Sequence, residues 1–556
     1  MPNLSIDRPK YLARWGYLKT ERSSWFSHWN EISTRLMPRA GRFFVQDRNK
    51  GNKRHNQIYD SSATQALSIL AAGMMSGMTS PARPWFRLTT GGDDLDSYQP
   101  VKIWLDQVTR LMLKIFQGSN TYRALHSMYE ELGGFGTAAS IMVPDFRSVI
   151  HHHPLTAGEY AITTDWRGDV ATLYREFQKT VGQIVKEFGY KACSPTVQNL
   201  YDRGNLEAWV TIIHAIEPRA DRDPSKNDPQ NMAWKSVYFE IGGNQQHCLR
   251  ESGFKRFPAL VPRWVVRGGD IYGESPAMTA LGDINQLQHQ QLRKAQGIDY
   301  KTRPPLQAPT SMKNRDVEML PGGITYVDSA NPHGGIRSAF EVNIDLQHLL
   351  GDIRDVRERI RSCFFADLFM MLANQTDARM TATEVAERHE EKLLMLGPVL
   401  ERLQNELLDP LIENTFDAIM EAGIAPPAPD ELQGRPLNVD LIGMLAQAQR
   451  AVGTNSIDRF VGNLGAVAQF KPEVLDRFDS DRWAEVYSDS LSLDPQIIVP
   501  RDQAQAIREQ RAQAQAQAQQ AALAEQQAST AQKLASAKTD QPNALTDATR
   551  AFQGYS

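Results

Sequence analysis

The stretch Leu67-Ser-Ile-Leu-Ala-Ala-Gly-Met-Met-Ser-Gly-Met-Thr-Ser-Pro-Ala-Arg-Pro-Trp-Phe-Arg-Leu88 changes character halfway along. Its first half is greasy enough to suggest a bilayer span. A helix needs about 20 apolar residues to cross the hydrocarbon core, and the run from Ala63 to Met78 is too short and is broken by Thr64, Ser68 and Ser76. A buried helix is the expectation instead. Asp60 or Ser61 can cap it by accepting from the first free amides. Ala71, Ala72, Gly73, Ser76 and Gly77 allow close approach of another backbone, and Met74, Met75 and Met78 fill uneven gaps. Pro81 and Pro84 forbid further helix and turn the chain into an extended segment that begins with Trp85 and Phe86.

Composition frames this segment. A chain of 556 residues exceeds one core and implies several domains. With 41% hydrophobic and 23% charged residues it reads as globular, and its formal charge of −4 carries no general attraction to nucleic acid or anionic membrane. Cys193, Cys248 and Cys363 lie far apart and fit reduced structural thiols rather than a disulfide framework. The first residues lack the apolar core of a signal peptide, and no membrane partner is expected.

Along the chain, residues 8–36 are expected to be helical, and the basic stretch Arg39 to His55 an exposed loop. Helices follow at 98–117 and 120–132. Gly133-Gly134-Phe135-Gly136-Thr137 reads as a turn. It is no phosphate loop, because no Gly-Lys-Ser/Thr follows. From about 139 to 268 apolar and polar residues alternate between turn signals, which predicts strands, with a hairpin corner at Asp165-Trp166-Arg167-Gly168-Asp169. His151-His152-His153 falls in this block. Neighbouring strand residues face opposite ways, so three adjacent imidazoles cannot share one metal ion, and no metal site or cofactor is expected.

Ser275 and Pro276 are suited to cap and open a helix over 272–303, with Leu281, Ile284, Leu287, Leu292 and Ala295 as its stripe. Pro304 and Pro305 end it. A turn-rich β module at 304–343 and a second helix from Ile344 follow, so the two helices are expected to run antiparallel. Phe364-Phe365 and Leu368-Phe369 read as core, and Ala373 to Ala378 as a loop. Thr381-Ala382-Thr383-Glu384 matches a capping box opening a long helix to about 421, with a kink expected near Gly397-Pro398. The proline-rich link 425–429 precedes a small helical domain over 437–488. A Gln/Ala-rich helix follows from about 500, and a disordered tail beyond Lys538.

This order of elements resembles the portal, or head-to-tail connector, proteins of short-tailed bacteriophages. The resemblance covers about 8 to 490. It is carried by Ile58-Tyr59-Asp60-Ser61, Leu70-Ala71-Ala72-Gly73, Thr79-Ser80-Pro81 and Pro84-Trp85-Phe86, then by Tyr272-Gly273-Glu274-Ser275-Pro276, Thr381-Ala382-Thr383-Glu384-Val385 and Leu396-Gly397-Pro398. It implies an α+β, mainly α, portal fold. The wing would be 1–271 with a spine helix at 381–423, the stem 272–303 and 344–363, and the clip 304–343. The tunnel loop would be 364–380, the crown 430–490, the barrel helix 500–535 and the tail 536–556.

The resemblance further implies a homo-oligomer, typically a dodecamer, at one vertex of a virion made in the host bacterial cytoplasm. Double-stranded DNA would pass non-specifically through its channel. Terminase, tail adaptor proteins, and the major capsid and scaffolding proteins would be its partners. Each phosphate that a protein neutralises adds salt-sensitive affinity, so a mildly acidic duct suits passage in both directions. Arg293, Lys294, Asn374, Gln375 and Arg379 are the candidate channel-lining residues. Two other readings compete. A scaffold without a channel is one. A hydrolase built on Glu130 with Glu131, or Asp352 with Asp355, is the other, although adjacent helix residues diverge by about 100° and the second pair lies among arginines.

Overall fold

The computed structural model describes residues 7–44, 57–91, 98–223, 225–226, 228–242, 248–303, 306–307, 337–338, 346–373, 396–432, 437–443, 460–483, 487, 499 and 501–535. Helix and strand are mixed, and the chain divides into two compact units, one of 1–95 and 104–456 and one of 96–103 and 457–556.

In the first unit α1 (Arg8–Arg35) lies on a five-stranded antiparallel sheet. The sheet runs in the order β4 (Tyr160–Thr164), β5 (Val170–Thr180), β6 (Trp209–Pro218), β7 (Trp234–Glu240), β8 (Arg250–Phe254). Side chains alternate across a strand, so Ile213 and Phe239 meet Tyr11, Trp15 and Leu18 of α1, while Ile212 and Tyr238 face the other way. That second face is covered by α5 (Val181–Phe188) and α6 (Pro195–Asp202) through Val181, Ile184 and Val197. A three-stranded sheet orders β3 (Val149–Leu155), β2 (Ala139–Asp145) and β9 (Ala259–Leu260). The predicted strand block is therefore present, and its corner at 165–169 joins β4 to β5.

The opening stretch is a helix, α2 (Ser62–Met78), followed by β1 (Phe86–Thr89). Asp60 does the expected capping: its Oδ1 accepts from Ser62 N at 2.9 Å. Trp85 and Phe86 are fully buried and pack with Phe116 of α3 (Gln99–Gly118). The backbone approach expected of the small residues occurs at Gly77, whose carbonyl oxygen would lie 2.9 Å from a Cβ on Gly443, whereas at Gly73 the neighbour is the Phe369 side chain.

Two expectations need correction. Gly133 and Gly134 do not turn; they continue α4 (Thr121–Phe135), and Gly136 in the left-handed region ends it. Packing explains their identity, because a Cβ at Gly133 would lie 2.5 Å from Leu67 Cδ1 and one at Gly134 2.2 Å from Met37 Sδ. Residues 437–443 likewise do not open a helical domain. Here β12 (Asn438–Leu441) pairs antiparallel with β1, and Arg87 Nε donates to Asp440 Oδ2 at 2.7 Å.

The motif Tyr272 to Pro276 is a junction. Tyr272 is buried against Trp25 and Trp29, its hydroxyl accepting from Ile162 N. Ser275 Oγ accepts from Met278 N at 3.0 Å and donates to the Gly134 carbonyl at 2.8 Å, capping α7 (Pro276–Thr302) and tying it to α4. Beyond α7, β10 (Leu306–Gln307) pairs antiparallel with β11 (Arg337–Ser338). Then come α8 (Leu346–Cys363) and α9 (Ala366–Ala373). Phe364, Leu368 and Phe369 are buried as expected, Phe365 is only half-buried, and the Phe369 ring packs against Gly73 of α2.

Residues 396–403 are helical and pass through a π segment, Gln404–Leu408, into α10 (Asp409–Glu421). Pro410 explains the widening. Proline lacks an N–H and crowds the carbonyl four residues back, and here Asp409 N donates to Gln404 O, five residues back. The capping box at Thr381, the loop from Asn374, most of the module at 304–343 and the tail beyond Lys538 lie outside the described residues.

In the second unit α11 (Arg501–Ala535) is one helix, exposed along nearly all its length. Arg508 holds Asp481 with both guanidinium nitrogens, at 2.6 and 2.5 Å.

Candidate functional site

The two long helices α7 and α8 form the feature on which the candidate site rests. Their register is fixed by polar bridges. Arg359 meets Asp283 at 3.1 Å, and Gln290 donates to Asp352. One helix advances seven residues, 283 to 290, as the other retreats seven, 359 to 352, so the pair is antiparallel as expected. Ile284 and Leu287 on α7 and Ile353, Val356 and Ile360 on α8 are buried. The predicted stripe fades after Leu287: Leu292 is half-buried and Ala295 exposed.

A polar cluster anchors this hairpin to the start of α2. Gln288 is buried; its Oε1 accepts from the amides of Tyr59 and Asp60 at 2.6 and 2.9 Å, and its Nε2 donates to Asp60 O at 2.9 Å. Asp60 Oδ2 accepts from Gln291 Nε2 at 2.7 Å and from Arg357 Nη2 at 2.6 Å. Burial disfavours the charged carboxyl, but the bonds from Ser62 and the Arg357 guanidinium win and hold it below the ordinary carboxylate range. Sequence reasoning missed this cluster. The signal was present, since Gln288 occupies an apolar position, four residues after Ile284 and seven after Leu281. A polar residue there needs a buried partner.

The far half of α7 carries charge rather than core. From Arg293 to Arg303 there are four cations (Arg293, Lys294, Lys301, Arg303) against one acid, Asp299. Arg293 is exposed and Lys294 half-buried. On α8 Arg359 also meets Asp355 at 3.2 Å and Arg361 meets Asp367 at 3.8 Å, whereas Arg354 stands exposed without an ion pair among the described residues. The three remaining candidates, Asn374, Gln375 and Arg379, lie outside the described residues.

The members of each carboxylate pair take different partners or surroundings. Glu131 is buried and accepts from Thr156 Oγ1 at 2.6 Å and Ala157 N at 3.1 Å, while Glu130 is only half-buried. Asp352 and Asp355 are engaged by Gln290 and Arg359, respectively. The histidine run alternates as expected. His151 and His153 share one face, ring to ring at 4.9 Å, and His152 is buried on the other. Burial, followed by its histidine neighbours, pushes the His152 imidazole down to about 4. Among the described residues no group of three His, Cys, Asp or Glu side chains is placed to hold a metal ion, and no helix is long and apolar enough to cross a membrane.

Comparison with known proteins bears on what the hairpin serves. A family model described as "Bacteriophage head to tail connecting protein" matches residues 8–499. The chain is 68% identical over 550 residues to a "Probable portal protein" of Bordetella phage BPP-1, covering 99% of each chain. It is 44% identical over 546 residues to the "Portal protein" of Salmonella phage epsilon15, covering 98% of each. Among solved structures, the neck of an empty gene transfer agent particle aligns at 12% identity over 82% of this chain and 96% of that one, with a TM-score of 0.38.

Proposed function

Because this chain belongs to the bacteriophage head to tail connecting protein family, we propose that it acts as a portal: a ring at one capsid vertex through which double-stranded DNA enters and leaves the virion. The observation that carries this reading is the 68% identity to a portal-named relative along 99% of both chains. The α7–α8 hairpin would be the stem, and the β10–β11 module between its helices the clip, where terminase and then the tail adaptor dock. Tunnel loop, crown and barrel would be 364–380, 430–490 and 500–535, and twelve copies would close the ring.

Channel chemistry follows from charge placement. Arg359 and Arg361 are occupied by carboxylates, and the exposed cations concentrate on the outer half of α7. A few cations per subunit give a weak, salt-screened attraction to phosphate, which guides DNA without clamping it. Arg293 and Lys294, with Asn374, Gln375 and Arg379, would face the lumen.

Native mass spectrometry tests the assembly. A subunit mass of 62.5 kDa predicts 12 × 62.5 = 750 kDa for the ring. A chain that stays monomeric under every assembly condition would overturn the reading. Deleting 306–340 should leave ring formation intact and abolish attachment of terminase and tail; rings that no longer form would show the module has another task.

A further inference from the structure

We propose that the β4–β5 corner of one subunit inserts Trp166 into a cleft at the opposite end of the same hairpin on the neighbouring subunit, forming a head-to-tail contact around the ring. The inference rests on the ring reading above and adds to it a residue pair that builds the interface.

Trp166 is 87% exposed, yet the corner that carries it is rigid. Asp165 Oδ1 accepts from the amides of Arg167 and Asp169 at 2.8 and 3.1 Å. The Gly168 carbonyl accepts from Arg263 Nη2 at 2.8 Å, and Arg263 is itself buried and gripped by Glu406. An indole held out to water on a braced support loses little freedom on binding, and tryptophan and arginine dominate the energetic centres of interfaces. Arg167 lies over the indole face, 4.9 Å from its centre. Asp165 and Asp169 leave the tip with a net negative charge.

The cleft has the complementary character. Its volume is about 750 Å³, ample for an indole, and it opens between α1 and the root of the β4–β5 hairpin. Lys19, Arg22, Arg42 and Arg175 outnumber Glu159 and Glu176 there. Phe26 and Phe43 meet edge to face at 4.9 Å and form an aromatic wall, beside which Phe44 is exposed. A subunit cannot fill its own cleft. Glu159 sits at the root of the ladder, and the five residues of β4 place the tip roughly 17 Å away along a paired, stiff strand. A donor on one end and an acceptor on the other, on one subunit, make a heterologous contact, the kind that closes rings.

The test places the photoreactive residue p-benzoylphenylalanine at position 166 of the full-length chain and irradiates assembled rings verified by native mass spectrometry. The expected result is covalent dimers whose cross-linked peptides carry the cleft, from Lys19 to Asn30 or Arg175 to Gln178. Trp166→Ala should reduce the ring fraction at least about tenfold at fixed concentration while Trp166→Phe largely retains it. Rings that form with cross-links elsewhere, within one chain, or not at all would overturn the contact and leave the ring reading standing. Unsubstituted protein that forms no ring would overturn both.

Discussion

Replacing Glu131 with glutamine should remove a distinctive pH dependence of stability. The carboxylate is buried and accepts from Thr156 Oγ1 and Ala157 N, while Thr156 Oγ1 in turn accepts from Gly41 N at 2.8 Å. Burial, helped by Glu159 and Glu130, outweighs those bonds and pushes its pKa from 4.5 up to about 7. The folded chain then holds a proton that the unfolded chain has released, so stability is greatest below about pH 4.5 and falls as pH rises toward 7. The separation of the two pKa values, at 1.36 kcal/mol per unit, amounts to about 3 kcal/mol. Urea unfolding of unassembled wild type and Glu131→Gln, followed by tryptophan fluorescence from about pH 4.5 to pH 8, measures it. Wild-type stability minus variant stability should drop by about 3 kcal/mol across that window. A difference that stays flat across the window would refute the reasoning.

Other perturbations read other parts of the fold. Gly136 has φ +77° and a Cβ there would lie 2.1 Å from the Gly273 carbonyl oxygen. Backbone strain and the clash together should make Gly136→Ala cost about 3 kcal/mol or more. Gly133→Ala, which meets only the ends of Leu67 and Leu70, should cost less, and a denaturant series that reverses this order would contradict the packing. Arg263→Met should remove two side-chain bonds to the half-buried Glu406 carboxylate and leave Arg402 as its remaining cation, at a cost of about 1.5–3 kcal/mol, with part of it recovered in the Arg263→Met/Glu406→Leu double variant. Additive losses in that cycle would show the two residues are not coupled. Asp60, with its pKa depressed by Ser62 and Arg357, contributes stability that is present above about pH 4 and lost as pH falls further. Asp60→Asn should therefore flatten the acid limb of the unfolding curve, and an unchanged limb would count against the cluster.

Local chemistry explains which features were legible in the sequence. Ser275-Pro276 capped α7 and Asp60 capped α2 because hydroxyls and carboxylates reach neighbouring amides without help from distant chain. The strands from 139 to 268 followed from alternation, and the α7–α8 pairing from prolines and turns between two apolar stripes. Features that failed depend on distant partners. Gly133 and Gly134 look like a turn until Leu67, Leu70 and Met37 are packed on them. The strand at 438–441 exists only because β1, about 350 residues earlier, offers an edge, as the 353-residue separation of Arg87 and Asp440 shows. The Arg263–Glu406 pair is of the same kind. For the site, Arg293 and Lys294 were legible as charge on a helix, Arg293 exposed and Lys294 half-buried. Gln288 and Arg357 were not, because their partner Asp60 lies more than 200 residues away, with separations of 228 and 297.

A cryo-EM map of the purified, assembled chain tests the central claim most directly. Expected is a closed ring with an open axial pore wide enough for duplex DNA, with the α7–α8 hairpins around it and Arg293 and Lys294 toward the lumen. A monomer, an assembly without an axial opening, or a ring whose pore is lined by other elements would contradict it.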